Sequence, residues 1–189
     1  MRAPWLILLF SIVFASAHAA QAADRVAHDD PFTGFKFPQN LGSFTFQSHQ
    51  RYNHVDLGYG LNYVERNGAT ATIIVYDLNQ RGFANGTMGT EVIAEFEKID
   101  SSVREVAGQG GYKAANRIQT PQLSKAWLQM SHELLRPDGR KVYAHSFIRA
   151  QNGKFVKIRV TAPNLQTYER LPMLLLDVSR AMGMLTNPK

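Results

Sequence analysis

The chain contains no cysteine. That absence excludes disulfides, a thiol nucleophile, zinc–thiolate clusters and a lipidated cysteine. No serine sits in a G-x-S-x-G elbow, and Gly108, Gly110 and Gly111 lack the spacing and the preceding strand of a phosphate loop. Aromatic residues do not interleave with the basic ones, so a nucleic-acid surface is not indicated. His132-Glu133-Leu134-Leu135-Arg136 approaches the H-E-x-x-H zinc motif but has arginine at the second ligand position, on a segment that reads as strand rather than helix. Ser131 and His132 are adjacent, and neighbours on one strand face opposite ways, so they cannot form a catalytic pair.

What is present suggests an exported chain. Its N-terminus has one basic residue, Arg2, an apolar run from Trp5 to Phe14, and small-residue sites ending at Ala19 or Ala22. This is the layout of a signal peptide over residues 1–22, with a run too short for a comfortable membrane span. Cleavage would leave no transmembrane segment and place the protein in the periplasm or outside the cell. Removing Arg2 lowers the basic count from 21 to 20 against 15 acidic residues, a net charge of +5. Such an excess favours anionic partners without identifying them.

Residues 23–38 are polar, with His28, Asp29, Asp30 and Pro31, and read as a flexible lead-in. Residues 39–189 then read as one domain, within the usual size for a single core. A first strand is expected over Leu41 to Arg51. Two β-rich runs flank Asn67-Gly68, a two-residue hairpin signal that would place Leu61, Tyr63, Ile74 and Tyr76 on one face. Leu78 to Gly89 reads as a long loop. A helix from Thr90 follows, with Val92, Phe96, Ile99, Val103 and Val106 in one stripe, and the chain closes on a second helix carrying Leu171, Leu174, Leu175, Val178, Met182 and Leu185. Pro172 fits its first turn, where backbone donors lack partners anyway.

The clearest element is Lys141 to Pro163, two strands joined at Asn152-Gly153, a dipeptide suited to a type I′ turn. A two-residue loop sets Val156, Ile158 and Val160 opposite Arg149, Phe147 and His145, a greasy face. Lys157 and Arg159 then point the other way, beside Ser146 and Ile148. The turn at Pro137-Asp138-Gly139 allows two registers for the strand before it. A three-residue loop with Gly139 in a bulge puts Leu128, Met130, His132 and Leu134 opposite the small, basic side. A four-residue loop puts them on the greasy face with His132 across from His145, and the rule that register follows the buried face favours this one.

These expectations sum to an α+β fold: an antiparallel sheet of about six strands with helices packed on it. The order of strands and helices, the export signal, and the segment Phe155 to Thr161 after an Asn-Gly turn resemble the PsbP/Mog1-like α/β/α sandwich and uncharacterised exported bacterial proteins of that kind. The resemblance implies a fold and a role as an accessory or assembly factor, and it transfers no catalytic residue or cofactor. Three functions are consistent with the residues. The first is a non-enzymatic periplasmic accessory protein that binds another envelope component or a small anionic ligand through Lys157, Arg159 and Arg149, with Arg81 and Phe83 of the long loop as a wall. The second is a metal-dependent hydrolase using His132 and His145. The third is a protein that binds the membrane surface.

Overall fold

The computed structural model describes residues 25–185, so the expected signal peptide, 1–22, lies outside the described residues. Ten strands and two α-helices follow in the order β1 (Val26–Asp30), β2 (Phe35–Pro38), β3 (Asn40–Leu41), β4 (Phe44–Arg51), β5 (Tyr59–Val64), β6 (Thr70–Tyr76), α1 (Thr90–Val106), β7 (Ala114–Ile118), β8 (Leu128–Leu135), β9 (Lys141–Gln151), β10 (Lys154–Ala162) and α2 (Leu171–Ala181). Eight of the strands form one sheet in the order β3-β4-β5-β6-β10-β9-β8-β7, and every neighbouring pair is antiparallel. The fold is therefore α+β on an antiparallel sheet, with eight strands where about six are expected. The two extra are short edge pieces, β3 and β7.

The sheet is assembled from two runs of consecutive strands, β3 to β6 and β7 to β10, which meet where β10 pairs with β6 through Val156↔Val75 and Ile158↔Ile73. α1 lies in the crossover between the runs, so its position is set by the need to reach the far edge before the chain returns. One face of the sheet offers Leu61, Tyr63, Ile73, Val75, Phe147, Val156, Ile158 and Val160 to the stripe of α2. The other offers Tyr76, Met130, Ile148, Ala150 and Phe155 to Val92 and Ile99 of α1. Each face carries one helix.

The three hairpin turns expected from the sequence differ in a way the backbone explains. At Asn152-Gly153 both residues have positive φ, 50° and 72°, as a two-residue type I′ turn requires, and the register Val156↔Arg149, Ile158↔Phe147, Val160↔His145 is the expected one. At Asn67-Gly68 and Pro137-Asp138-Gly139 only the glycine is left-handed, at 86° and 85°. Each is a three-residue loop ending in a glycine bulge. The consequence at the first is a one-residue slip from the expected pairing: Leu61 faces Ile73, so Leu61, Tyr63, Ile73 and Val75 share the α2 face and Ile74 turns away. At the second, His132 pairs with Ala144 and Ser131 with His145.

Residues 23–38 are not a flexible lead-in where they are described. β1 and β2 form a hairpin whose Phe35 and Phe37 are fully buried in the α2-side core, alternating with exposed Lys36. Burying two phenylalanines contributes about 2–3 kcal/mol each, ample to hold a short hairpin that shares no ladder with the main sheet.

Candidate functional site

The β8–β9 register separates the two histidines expected to form a metal pair. His132 lies on the α1 face, with Nε2 2.9 Å from Oδ1 of Asp100 on α1, and Asp100 also pairs with Arg104 at 2.9 Å. The His132 contact, with Arg104 adding to it, holds the Asp100 carboxyl below its ordinary value. His145 lies on the opposite face, its Nδ1 2.9 Å from the Ser131 hydroxyl, which is 3.0 Å from that of Thr120, and its ring rests on Tyr168. Burial pushes the His145 imidazole down to about 4, so it is neutral at physiological pH. Ser131 and His145 are at dyad distance but wholly buried, with no surface at which a substrate could meet them. Among the described residues no group of three His, Asp or Glu is placed to hold a metal ion. The expected cross-strand pair of His132 and His145 therefore does not form: the two lie on opposite faces of the sheet.

The residues proposed for anion binding divide. Lys157 and Arg159, two apart on β10, share a groove of about 110 Å³ between the sheet and α1, and Ser146, directly across from Arg159, lies in its floor. Glu95, Lys98, Ile99, Ser102, Val103 and Val106 of α1 form the wall. Lys157 is half-buried with Nζ 5.3 Å from the Tyr76 ring, and burial pushes its ammonium down against the pull of Glu95. Glu95 itself accepts from the Tyr76 hydroxyl at 2.8 Å and from Lys98 at 3.1 Å. Among the described residues neither Lys157 nor Arg159 makes an ion pair.

The other members lie elsewhere. Arg149 faces Val156 on the α2 side and is spent on structure, donating to the Ala126 carbonyl at 3.1 Å and to Oε1 of Gln151 at 3.0 Å, with its guanidinium over the Trp127 ring. Phe83 is a core residue stacked on Phe155 at 4.6 Å. Arg81 is exposed near Asp77. The long loop does not wall the groove, because Gly86 exchanges two backbone hydrogen bonds with Ala150 and pins it to β9.

A second concavity, about 280 Å³, lies between the β1–β2 hairpin and the ends of β4, β5 and β6, lined in part by His28, Asp29 and Asp30 of the segment expected to be a flexible lead-in. His28 of β1 stacks on His49 of β4 with ring centroids 4.6 Å apart and planes 21° from parallel, and Tyr59 tilts against both. Burial would raise the Asp30 carboxyl, but the Thr33 hydroxyl at 2.7 Å, the Phe32 amide at 3.0 Å and the Tyr59 hydroxyl at 3.0 Å overcome it and hold Asp30 below its ordinary value. For His28, burial and the neighbouring His49 push the imidazole down against Asp30 and Asp29. Nearly parallel rings direct their in-plane lone pairs along separate planes, so the two imidazoles do not converge on one ion. The Phe35-Lys36-Phe37 alternation was the available sign that this hairpin is structured.

Comparison of the chain with protein-family models, curated proteins and solved structures returned no match.

Proposed function

We propose that this chain is a non-enzymatic accessory protein of the cell envelope, periplasmic or secreted, which binds a small anionic ligand or an acidic group of another envelope component in the groove between α1 and β10. One observation carries this reading: Lys157 and Arg159 present two cations on one face of one strand, Lys157 partly desolvated beneath a helix and Arg159 exposed beside it, with no carboxylate paired to either among the described residues. Partly burying a cation without a partner is unfavourable unless something else compensates, and a bound anion does so. Ser146 adds a hydroxyl donor on the same floor. A helix on each face of an antiparallel sheet supports the PsbP/Mog1-like reading of the fold.

The test is a titration of the purified protein with phosphate and acetate, followed through the backbone amide shifts of Ser146, Lys157 and Arg159. Saturable shifts that disappear in a Lys157→Met, Arg159→Gln variant are expected. Equal shifts in the variant, or none in the parent at millimolar anion, would end the proposal. Cell fractionation checks the location: a full-length precursor found only in the cytosol would contradict it.

A further inference from the structure

The apolar stripe of α1 runs Val92, Phe96, Ile99, Val103, Val106, and its first members close onto the sheet. Val106 continues the same stripe yet is 41% exposed, because below it the sheet presents Arg159 and Ser146 rather than an apolar side chain. The helix then passes into a turn at Ala107–Gly111, where Gly110 at φ 85° reverses the chain and sets Tyr112 into the groove's end. The groove thus has cations in its floor and Ile99, Val103, Val106 and Tyr112 along its wall.

Building on the anion-binding reading above, we infer that the groove's ligand is a free amphiphilic anion: an anionic head, carboxylate or phosphate, joined to a short apolar chain. The head lies against Lys157, Arg159 and the Ser146 hydroxyl. The chain covers Val106, Val103 and Tyr112, completing the burial that the stripe begins. Charge decides the orientation: Lys157, Arg159 and Lys98 face one carboxylate, Glu95, which is already engaged by Tyr76 and Lys98. The volume of about 110 Å³ limits the enclosed part to a few carbons, so a longer tail would leave through the open end.

The experiment compares acetate with hexanoate by amide-shift titration of the folded protein. Hexanoate is expected to bind roughly tenfold tighter or better, the gain from burying two or so methylenes. Val106→Ser, at an exposed position, should erase most of that gain and bring the affinity for hexanoate down toward that for acetate. Lys157→Met should abolish binding of both, and its unfolding midpoint shows whether the variant is folded. If hexanoate and acetate bind equally and both depend on Lys157, the amphiphile inference is wrong and the anion site stands. If neither binds, both are wrong. A preference for hexanoate that survives Val106→Ser unchanged would place the chain elsewhere and also overturn the inference.

Discussion

The groove under α1 and the cleft beside the β1–β2 hairpin both bring charged and aromatic side chains together, and differ in how their charges are answered. In the cleft nearly every charge has a partner: Asp30 holds three donors, Asp77 pairs with Lys154 at 2.5 Å and Asp29 with Lys36 at 3.5 Å. In the groove, Lys157 and Arg159 have none among the described residues. Satisfied polar groups fix a structure, whereas unsatisfied ones leave binding capacity for a ligand. The cleft is therefore read as a docking joint between hairpin and sheet, and the groove as the proposed binding site.

The largest expected effect tests the joint. Phe37→Ala removes a fully buried ring that ties the hairpin to the α2-side core, and should cost about 3–5 kcal/mol in urea unfolding. A loss under about 1 kcal/mol would mean that the hairpin is an appendage, and the contrast between joint and site would collapse.

A smaller effect, opposite in sign between two positions, separates the regions more sharply. Lys154 and Lys157 lie three apart on β10, one paired with Asp77 and the other unpaired. Lys154→Met leaves Asp77 without its cation and should cost about 1 kcal/mol. Lys157→Met removes a partly desolvated charge together with the contact of its Nζ with the Tyr76 ring, and should be neutral or stabilising by up to about 1 kcal/mol. Equal losses at both would show that Lys157 is structural, and the groove would lose its distinction from the joint.

Much of this fold is legible in the sequence, and its failures share one cause. The helix stripes and the Asn152-Gly153 hairpin follow from local chemistry: apolar spacing in the first case, two left-handed residues in the second. The Pro137-Asp138-Gly139 register does not. Register follows the buried face only where one face is buried, and here Leu134, Val142 and Ala144 have a core of their own on the α1 side. With both faces covered, the hydrophobic argument loses its discrimination, and the turn's own preference for a glycine bulge decides. That slip moves His132 to the far face and removes the metal pair. Lys157 and Arg159 were legible because they lie on the hairpin whose register local chemistry fixes. The stacking of His28 on His49 joins strands 21 residues apart and involves no motif, so no local signal announces it.

That stack supplies the smallest prediction and the most direct probe of the joint. His28 and His49 touch across the boundary between hairpin and sheet, faced by Asp29 and Asp30 on β1, Arg51 on β4 and Tyr59 on β5. Burial and the second imidazole favour the neutral form of His28, so its value in the docked state lies below the ordinary 6.5. A depressed folded value means that docking is at full strength above pH 6.5, where both states are neutral, and weakens as the pH falls below it, because the undocked hairpin takes up the proton more readily. Amide exchange in Val26–Asp30 and Phe35–Pro38 should therefore accelerate between pH 7 and 5 beyond the intrinsic trend, relative to amides of β9 and β10. Asp30 stays ionised throughout that window, since its own value lies below the carboxylate norm. His49→Gln removes the second imidazole and should flatten part of the response. Uniform exchange across the sheet in this interval would mean that acid acts on the whole domain, and the hairpin would lose its separate status as a joint.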